Sequence, residues 1–266
     1  MFDKIFVCLD GSPLAEKILP LAQGVAKATG ATMALLRVVG DNSEMAAEES
    51  YMRNQASLCG AQIRFLLSRD PPAAIVEELA KNPGAVPVMT THGRTAWAEA
   101  LLGSVALKVI RGAKRPVLLH RPLPSHAEAP AKIVQLVAAL DGSKFSEKII
   151  PSAVELAKAF AARLLLVQAL AQQAPVGQAK GDVLESSYLH AKADEIRKKY
   201  AIDADWDVLH GDAGDAICRY VNGMQDTVLA MTSHARGGLE RAFVGSVATS
   251  CIRHAGVPIL IYWPEQ

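Results

Sequence analysis

At 266 residues the chain is long for one average domain and comfortable for two, because domains cluster near ~100–150 residues. Half of the residues are hydrophobic and 21% are charged, an ordinary globular composition able to bury a core. A net charge of +1 gives no pull toward nucleic acid or an anionic membrane surface, and no apolar run approaches the ~18 residues of a membrane span.

The chain opens Met1-Phe2-Asp3-Lys4-Ile5, with an acidic residue ahead of a strand-like run, which is not the pattern of a secretion leader. Lys4 to Leu9 is a short apolar run suited to a strand buried on both faces of a parallel sheet. Asp10-Gly11-Ser12-Pro13 reads as a turn, with Ser12 as helix N-cap and Pro13 in the first helical position. Leu14, Ile18, Leu21, Ala22, Val25 and Ala26 then keep helical spacing until Gly30 stops the helix. Thr32 to Val39 follows as a strand, Glu44 to Gly60 as a polar-faced helix, and Gln62 to Leu67 as a third strand. Pro72 to Ala80 is a helix and Val86 to Thr90 a fourth strand, awkwardly interrupted by Pro87, for which Val228 is the expected counterpart later in the chain. A helix begins near Ser104 and a last strand covers Val117 to His120. Alternating strands and helices predict an α/β fold: a doubly wound, Rossmann-like parallel sheet with helices on both faces.

The pattern then returns. Asp10-Gly11-Ser12 reappears as Asp141-Gly142-Ser143, and Glu16-Lys17-Ile18-Leu19-Pro20 as Glu147-Lys148-Ile149-Ile150-Pro151. Leu102-Gly103-Ser104-Val105-Ala106 reappears as Val244-Gly245-Ser246-Val247-Ala248. The offset grows from 131 between Asp10 and Asp141 to 142 between Gly103 and Gly245, which assigns an insertion to Gln172 to Asp182. Strands are expected near 133–140, 163–169, 205–209, 227–232 and 258–262. Arg121 to Pro130 holds three prolines and reads as a semi-extended spacer, so the predicted domains are 1–125 and 126–266, with the boundary near residue 126. The cysteines Cys8, Cys59, Cys218 and Cys251 are widely spaced with no CxxC pair, and read as reduced thiols of a cytoplasmic protein.

In a doubly wound sheet, ligands sit beyond the carboxyl ends of the strands, where the strand order reverses. Three segments converge there in the first copy. They are Asp10-Gly11-Ser12, the end of the second strand at Val38, and the loop Thr90-Thr91-His92-Gly93-Arg94 leading to Gly103-Ser104. A helix start offers unpaired N–H donors and the positive end of a dipole, which suits a phosphate. Arg94 could pair with the same phosphate, while His92 could instead shape the loop and Asp10 could simply cap its turn. The second copy places Asp141, Gly142, Ala169, His234, Arg236, Gly245 and Ser246 correspondingly.

On these residues the chain resembles the universal stress protein family, twice and over nearly its whole length. ATP-binding members of that family carry Gly-x-x-Gly, nine residues, then Gly-Ser or Gly-Thr. In the first copy Thr90 stands at the first glycine, while Gly93, Gly103 and Ser104 match. In the second, Thr232 and Ala235 replace both loop glycines, while Gly245 and Ser246 match. The resemblance implies the adenine nucleotide α-hydrolase-like fold, with Asp10 and Val38 near base and ribose, Gly11 in the adjoining turn, and Gly93, Gly103 and Ser104 at the phosphates. It implies ATP or AMP as ligand, Mg²⁺ accompanying ATP, and a sensor role in stress response. It also implies pairing through the last strands, so that one chain forms an intrachain pseudo-dimer, with a homodimer of chains as a further level. A nucleotide-free interaction protein and a very slow ATPase are the alternatives. Neither a Walker lysine motif nor a catalytic triad is visible, so the expectation is a binding module without catalytic residues, without a protein-held metal, and without nucleic acid or membrane as partner.

Overall fold

Runs of branched apolar residues alternate with helices, and each unit contributes five parallel strands. The computed structural model describes residues 2–91, 102–121, 129–170, 180–233 and 244–264, with the backbone alone for 180–185. The chain divides into compact units spanning Met1–Lys132 and Ile133–Pro264. Residue 126, the expected boundary, lies outside the described residues, as does most of the insertion expected at Gln172 to Asp182.

The first unit runs β1 (Lys4–Cys8), α1 (Pro13–Glu16), α2 (Leu19–Thr29), β2 (Thr32–Val39), α3 (Asn42–Cys59), β3 (Gln62–Leu67), α4 (Pro71–Lys81), β4 (Ala85–Thr90), α5 (Ser104–Gly112) and β5 (Val117–His120). Its strands lie in the order β3-β2-β1-β4-β5, all pairs parallel. The second unit runs β6 (Gln135–Ala139), a 3₁₀ turn (Ser146–Ile149), α6 (Ile150–Phe160), β7 (Arg163–Leu170), α7 (Lys180–Tyr200), β8 (Ala204–His210), α8 (Ala213–Asn222), β9 (Thr227–Thr232), α9 (Ser246–His254) and β10 (Ile259–Tyr262). Its order is β8-β7-β6-β9-β10, again parallel. In each unit the winding direction reverses beside the first strand, between β1 and β4 and between β6 and β9. The doubly wound α/β expectation therefore holds twice. Central strands are buried on both faces, with Ile5, Phe6 and Val7 of β1 and every residue of β4 and β9 inside.

Two local expectations change. The single helix expected after Ser12 is two, because Pro20 has no N–H to donate and its ring opposes a continuous helix through the preceding turn. Pro151 has the same effect in the second unit, where a 3₁₀ turn precedes α6. The counterpart of Pro87 is Leu229, not Val228: Phe6 of β1 pairs with Pro87, and the equivalent Val137 pairs with Leu229. Leu229 N–H donates to Pro258 C=O at 2.9 Å. Proline cannot make that bond, so the β4–β5 ladder begins only at Val88 and Leu118, one pair shorter than β9–β10.

The ends of α2 and α6 differ in one residue that matters. Gly30 closes α2 in the left-handed region at φ 72°, and Ala161 closes α6 there at φ 50°. A Cβ in that region is strained, whereas glycine adopts it freely. Ala161→Gly is expected to stabilise the second unit by about 0.5–1 kcal/mol in denaturant titration. A loss of stability would show that the alanine is not strained.

Candidate functional site

The carboxyl ends of β1, β2 and β4 open onto one crevice at the switch point of the first unit. Its floor is set by the turn after β1. Asp10 Oδ1 accepts hydrogen bonds from Ser12 N–H at 3.0 Å and from Ser12 Oγ–H at 2.6 Å. Ser12 Oγ in turn accepts from Ala15 N–H at 3.2 Å, capping α1, while Gly11 makes the bend at φ 80°. Asp10 thus holds the turn and lines the crevice at once.

Thr90 closes β4 in extended backbone and is buried, with no left-handed strain. Thr91 N–H donates to His120 C=O at 2.9 Å, and Gly103 N–H donates to Thr91 C=O at 2.9 Å. These bonds pin both ends of the loop that carries His92, Gly93 and Arg94, residues which themselves lie outside the described set. They also commit the Gly103 amide. Gly103 has φ −55° and ψ 145°, which any residue can adopt, so its backbone conformation does not call for glycine. The donors left facing an anion are the first-turn amides of Ser104, Val105 and Ala106, on a helix with no side-chain cap and no acidic residue in its first turn.

Together these groups line a cavity of about 250 Å³, walled by Pro71 and Ile75 of α4, Leu36 and Val38 of β2, and Met89. That volume approaches the ~300 Å³ at which small-molecule sites begin. Cys8 also lines it, and burial pushes its thiol up to about 12, so it stays protonated and unreactive. Among the described residues no group of three or more His, Cys, Asp or Glu side chains could hold a metal ion.

One lining residue escaped the sequence reading. Arg37 is 4% exposed. Its Nη2–H donates to Glu48 Oε1 of α3 at 2.8 Å, and Nη1–H lies 3.5 Å from Leu9 C=O. The signal was present: Arg37 is the lone charge in the otherwise apolar run Thr32 to Val39.

The second unit repeats the construction at smaller size. Asp141 Oδ1 accepts from Ser143 N–H at 2.9 Å and from Ser143 Oγ–H at 2.5 Å, with Gly142 at φ 77°. Gly245 N–H donates to Ser233 C=O at 2.6 Å, leaving the first-turn amides of α9 from Ser246 onward. Asp141, Ala169, Thr232, Gly245 and Ser246 line a cavity of about 100 Å³. His234 and Arg236 lie outside the described residues. Both units also brace their first helical turn against the long helix, through Tyr51 Oη–H to Glu16 at 3.0 Å and Tyr188 Oη–H to Glu147 at 3.2 Å.

A family model described as the universal stress protein family matches residues 1–121 and 134–262. The chain belongs to the universal stress protein family. A universal stress protein of Synechocystis sp., Slr1230, is 22% identical, with 97% of this chain and 99% of the relative covered. The fold agrees with the crystal structure of a universal stress protein from Archaeoglobus fulgidus DSM 4304, at a TM-score of 0.71, 18% identity and full coverage of both chains. It agrees similarly with a protein of unknown function from Pseudomonas aeruginosa PAO1, at a TM-score of 0.70, 19% identity and coverage of 99% and 93%. Two family segments on one chain make this universal stress protein a tandem one. No helix among the described residues is long and apolar enough to cross a membrane.

Proposed function

We propose that the first unit of this tandem universal stress protein binds an adenine nucleotide, ATP or AMP, and serves as a sensor or regulatory module in stress response. The observation that carries this reading is the 250 Å³ cavity, which joins the uncapped amides of α5 to Asp10 and Val38 in one crevice. Phosphates would lie against the α5 N-terminus, beside Ser104, and base and ribose toward Asp10 and Val38. Mg²⁺ would accompany a triphosphate as part of the ligand. The second unit, with about 100 Å³, fits the nucleotide-free alternative better, as a partner of the same fold. One nucleotide per chain is therefore the expected stoichiometry. In this reading the chain is a binding module and not an enzyme, and it works in the cytoplasm, where its four spaced cysteines stay reduced.

Calorimetric titration of the full chain with AMP and Mg-ATP tests this directly, with one site per chain expected. Denaturing the purified protein and analysing what it releases provides a second arm. No heat, no thermal shift and no released nucleotide would overturn the reading.

A further inference from the structure

The second unit carries two thiols at one helix seam. α8 and α9 pack side by side, and α8 presents Gly214, Cys218 and Asn222 at four-residue spacing on one face. Each of the three meets α9. A Cβ placed on Gly214 would lie 2.7 Å from Ser250 Cβ, so with two C–C bonds added the Cα atoms there lie within about 6 Å. Next to the two cysteines the helices thus run at the separation that a disulfide spans, ~4.4–6.8 Å between Cα atoms. Cys218 Sγ–H donates weakly to Ser250 C=O at 3.9 Å, and Asn222 Nδ2–H donates to His254 C=O at 3.0 Å. Between these contacts the side chains of Cys218 and Cys251 hydrogen-bond to each other. That bond is the main cause holding the Cys218 thiol below its usual range, and it pushes the Cys251 thiol up, with burial adding to the rise. Cys218 is 5% exposed and Cys251 0%. The first unit fills the matching positions, 142 residues earlier, with Val76 and Val109, so packing of the seam does not require sulfur.

We propose that Cys218 and Cys251 form a reversible disulfide when hydrogen peroxide reaches the second unit, with Cys218 the residue that reacts first. This stands apart from the nucleotide reading. Cys218 is the more accessible of the two, and a thiol held low supplies the thiolate that attacks. Its sulfur attacks one peroxide oxygen. An S–O bond forms, the O–O bond breaks, and the departing hydroxide takes the Cys218 proton as water. The Cys251 sulfur then attacks the sulfenic sulfur of Cys218. An S–S bond forms, the S–O bond breaks, and hydroxide leaves with the Cys251 proton as a second water. Two electrons pass from the two thiols to one peroxide. In a reducing compartment the pair rests as a dithiol, and disulfides formed there are transient and serve catalysis or sensing. The seam also walls the 100 Å³ cavity, which Ile217 of α8 and Val247 and Ala248 of α9 line. A bond between the helices therefore ties two walls of that cavity together.

The test is treatment of the folded full chain with a small excess of hydrogen peroxide, followed by denaturation without reductant, thiol titration and peptide mapping. Two of the four thiols should disappear, with the loss of two hydrogens from the intact mass and a cross-linked peptide pair joining Cys218 to Cys251. Dithiothreitol should restore both thiols. Cys251→Ser should stop the reaction at Cys218, trapped by dimedone as its sulfenic acid. Cys218→Val installs the residue that the first unit carries at the matching place, and should leave the fully buried Cys251 unoxidised. Thermal melting checks that both variants fold, and mapping of the natural chain decides alone where one does not. Four thiols surviving peroxide would overturn the proposal. A cross-link that involves Cys8 or Cys59, or one that forms only between chains, would overturn it as well. Dimedone labelling of Cys251 in Cys218→Val as fast as that of Cys218 in Cys251→Ser would remove Cys218 as the first to react.

Discussion

Ser104→Asp is expected to abolish most nucleotide binding and yet leave the first unit as stable as before, or slightly more so. The two effects have opposite signs because they draw on the same feature. Ser104 is the first residue of α5, exposed, and the helix has neither a side-chain cap nor an acid in its first turn. A carboxylate there meets unpaired amides and the positive end of the helix dipole, which is worth about 0.3–1 kcal/mol. The same carboxylate occupies the place proposed for phosphate, and like charges brought together cost several kcal/mol. A loss of about 2–3 kcal/mol in binding, roughly 50-fold in affinity for ATP, is the expected result. Adenosine, which has no phosphate, should be affected far less. Titration and thermal melting on one preparation check both signs. Unchanged ATP affinity in a folded Ser104→Asp protein would remove α5 from the site. The exchange in the second unit, Ser246→Asp, should leave nucleotide stoichiometry and affinity unchanged if the smaller cavity is empty of nucleotide in solution.

Most of the architecture was legible because the sequence states it twice. The strands Thr32–Val39 and Gln62–Leu67 appear with the expected bounds, since each is a short, largely apolar segment that begins two residues after a helix-ending glycine, Gly30 or Gly60. The helix after Ser12 was misread as one because its apolar spacing runs straight through the break. Periodicity reports which face is buried, but not whether the backbone hydrogen bonds are continuous, and Pro20 decides that. The counterpart of Pro87 was misplaced by one residue because the repeat offset changes within the chain, and only the pairing of Phe6 and Val137 fixes it. At the site, Gly103 drew attention as a phosphate ligand, yet its amide closes the loop onto Thr91. A motif names residue types at a spacing and cannot say which amide is already spent. Arg37 went unweighed for the opposite reason: it belongs to no motif, and only burial turns a lone charge in an apolar strand into a signal.

Phe6→Ala should be the most damaging single truncation in the first unit. Phe6 sits at the centre of β1, 2% exposed, between Ala34 of β2 and Pro87 of β4. Both neighbours are short, so the ring fills space that neither can recover when it is removed. Lys4 Nζ lies 5.5 Å from the ring centroid while donating to Asn82 Oδ1 at 2.9 Å, which adds a small contact between cation and ring. Truncating a buried phenylalanine costs about 3–5 kcal/mol, because the lost transfer energy and the cavity left behind add together. For a unit of this size that corresponds to a fall in Tm of roughly 10–20 °C. The matched exchange in the second unit, Val137→Ala, removes fewer carbons from an equally central strand and should cost only about 2 kcal/mol. Scanning calorimetry of the two variants separates them, with the larger displacement belonging to the first unit. An equal, small displacement would mean that the β1 region relaxes around the missing ring. In that case the crevice at the end of β1 would lose its rigid floor, and nucleotide affinity should fall in Phe6→Ala even though no residue of the site has changed.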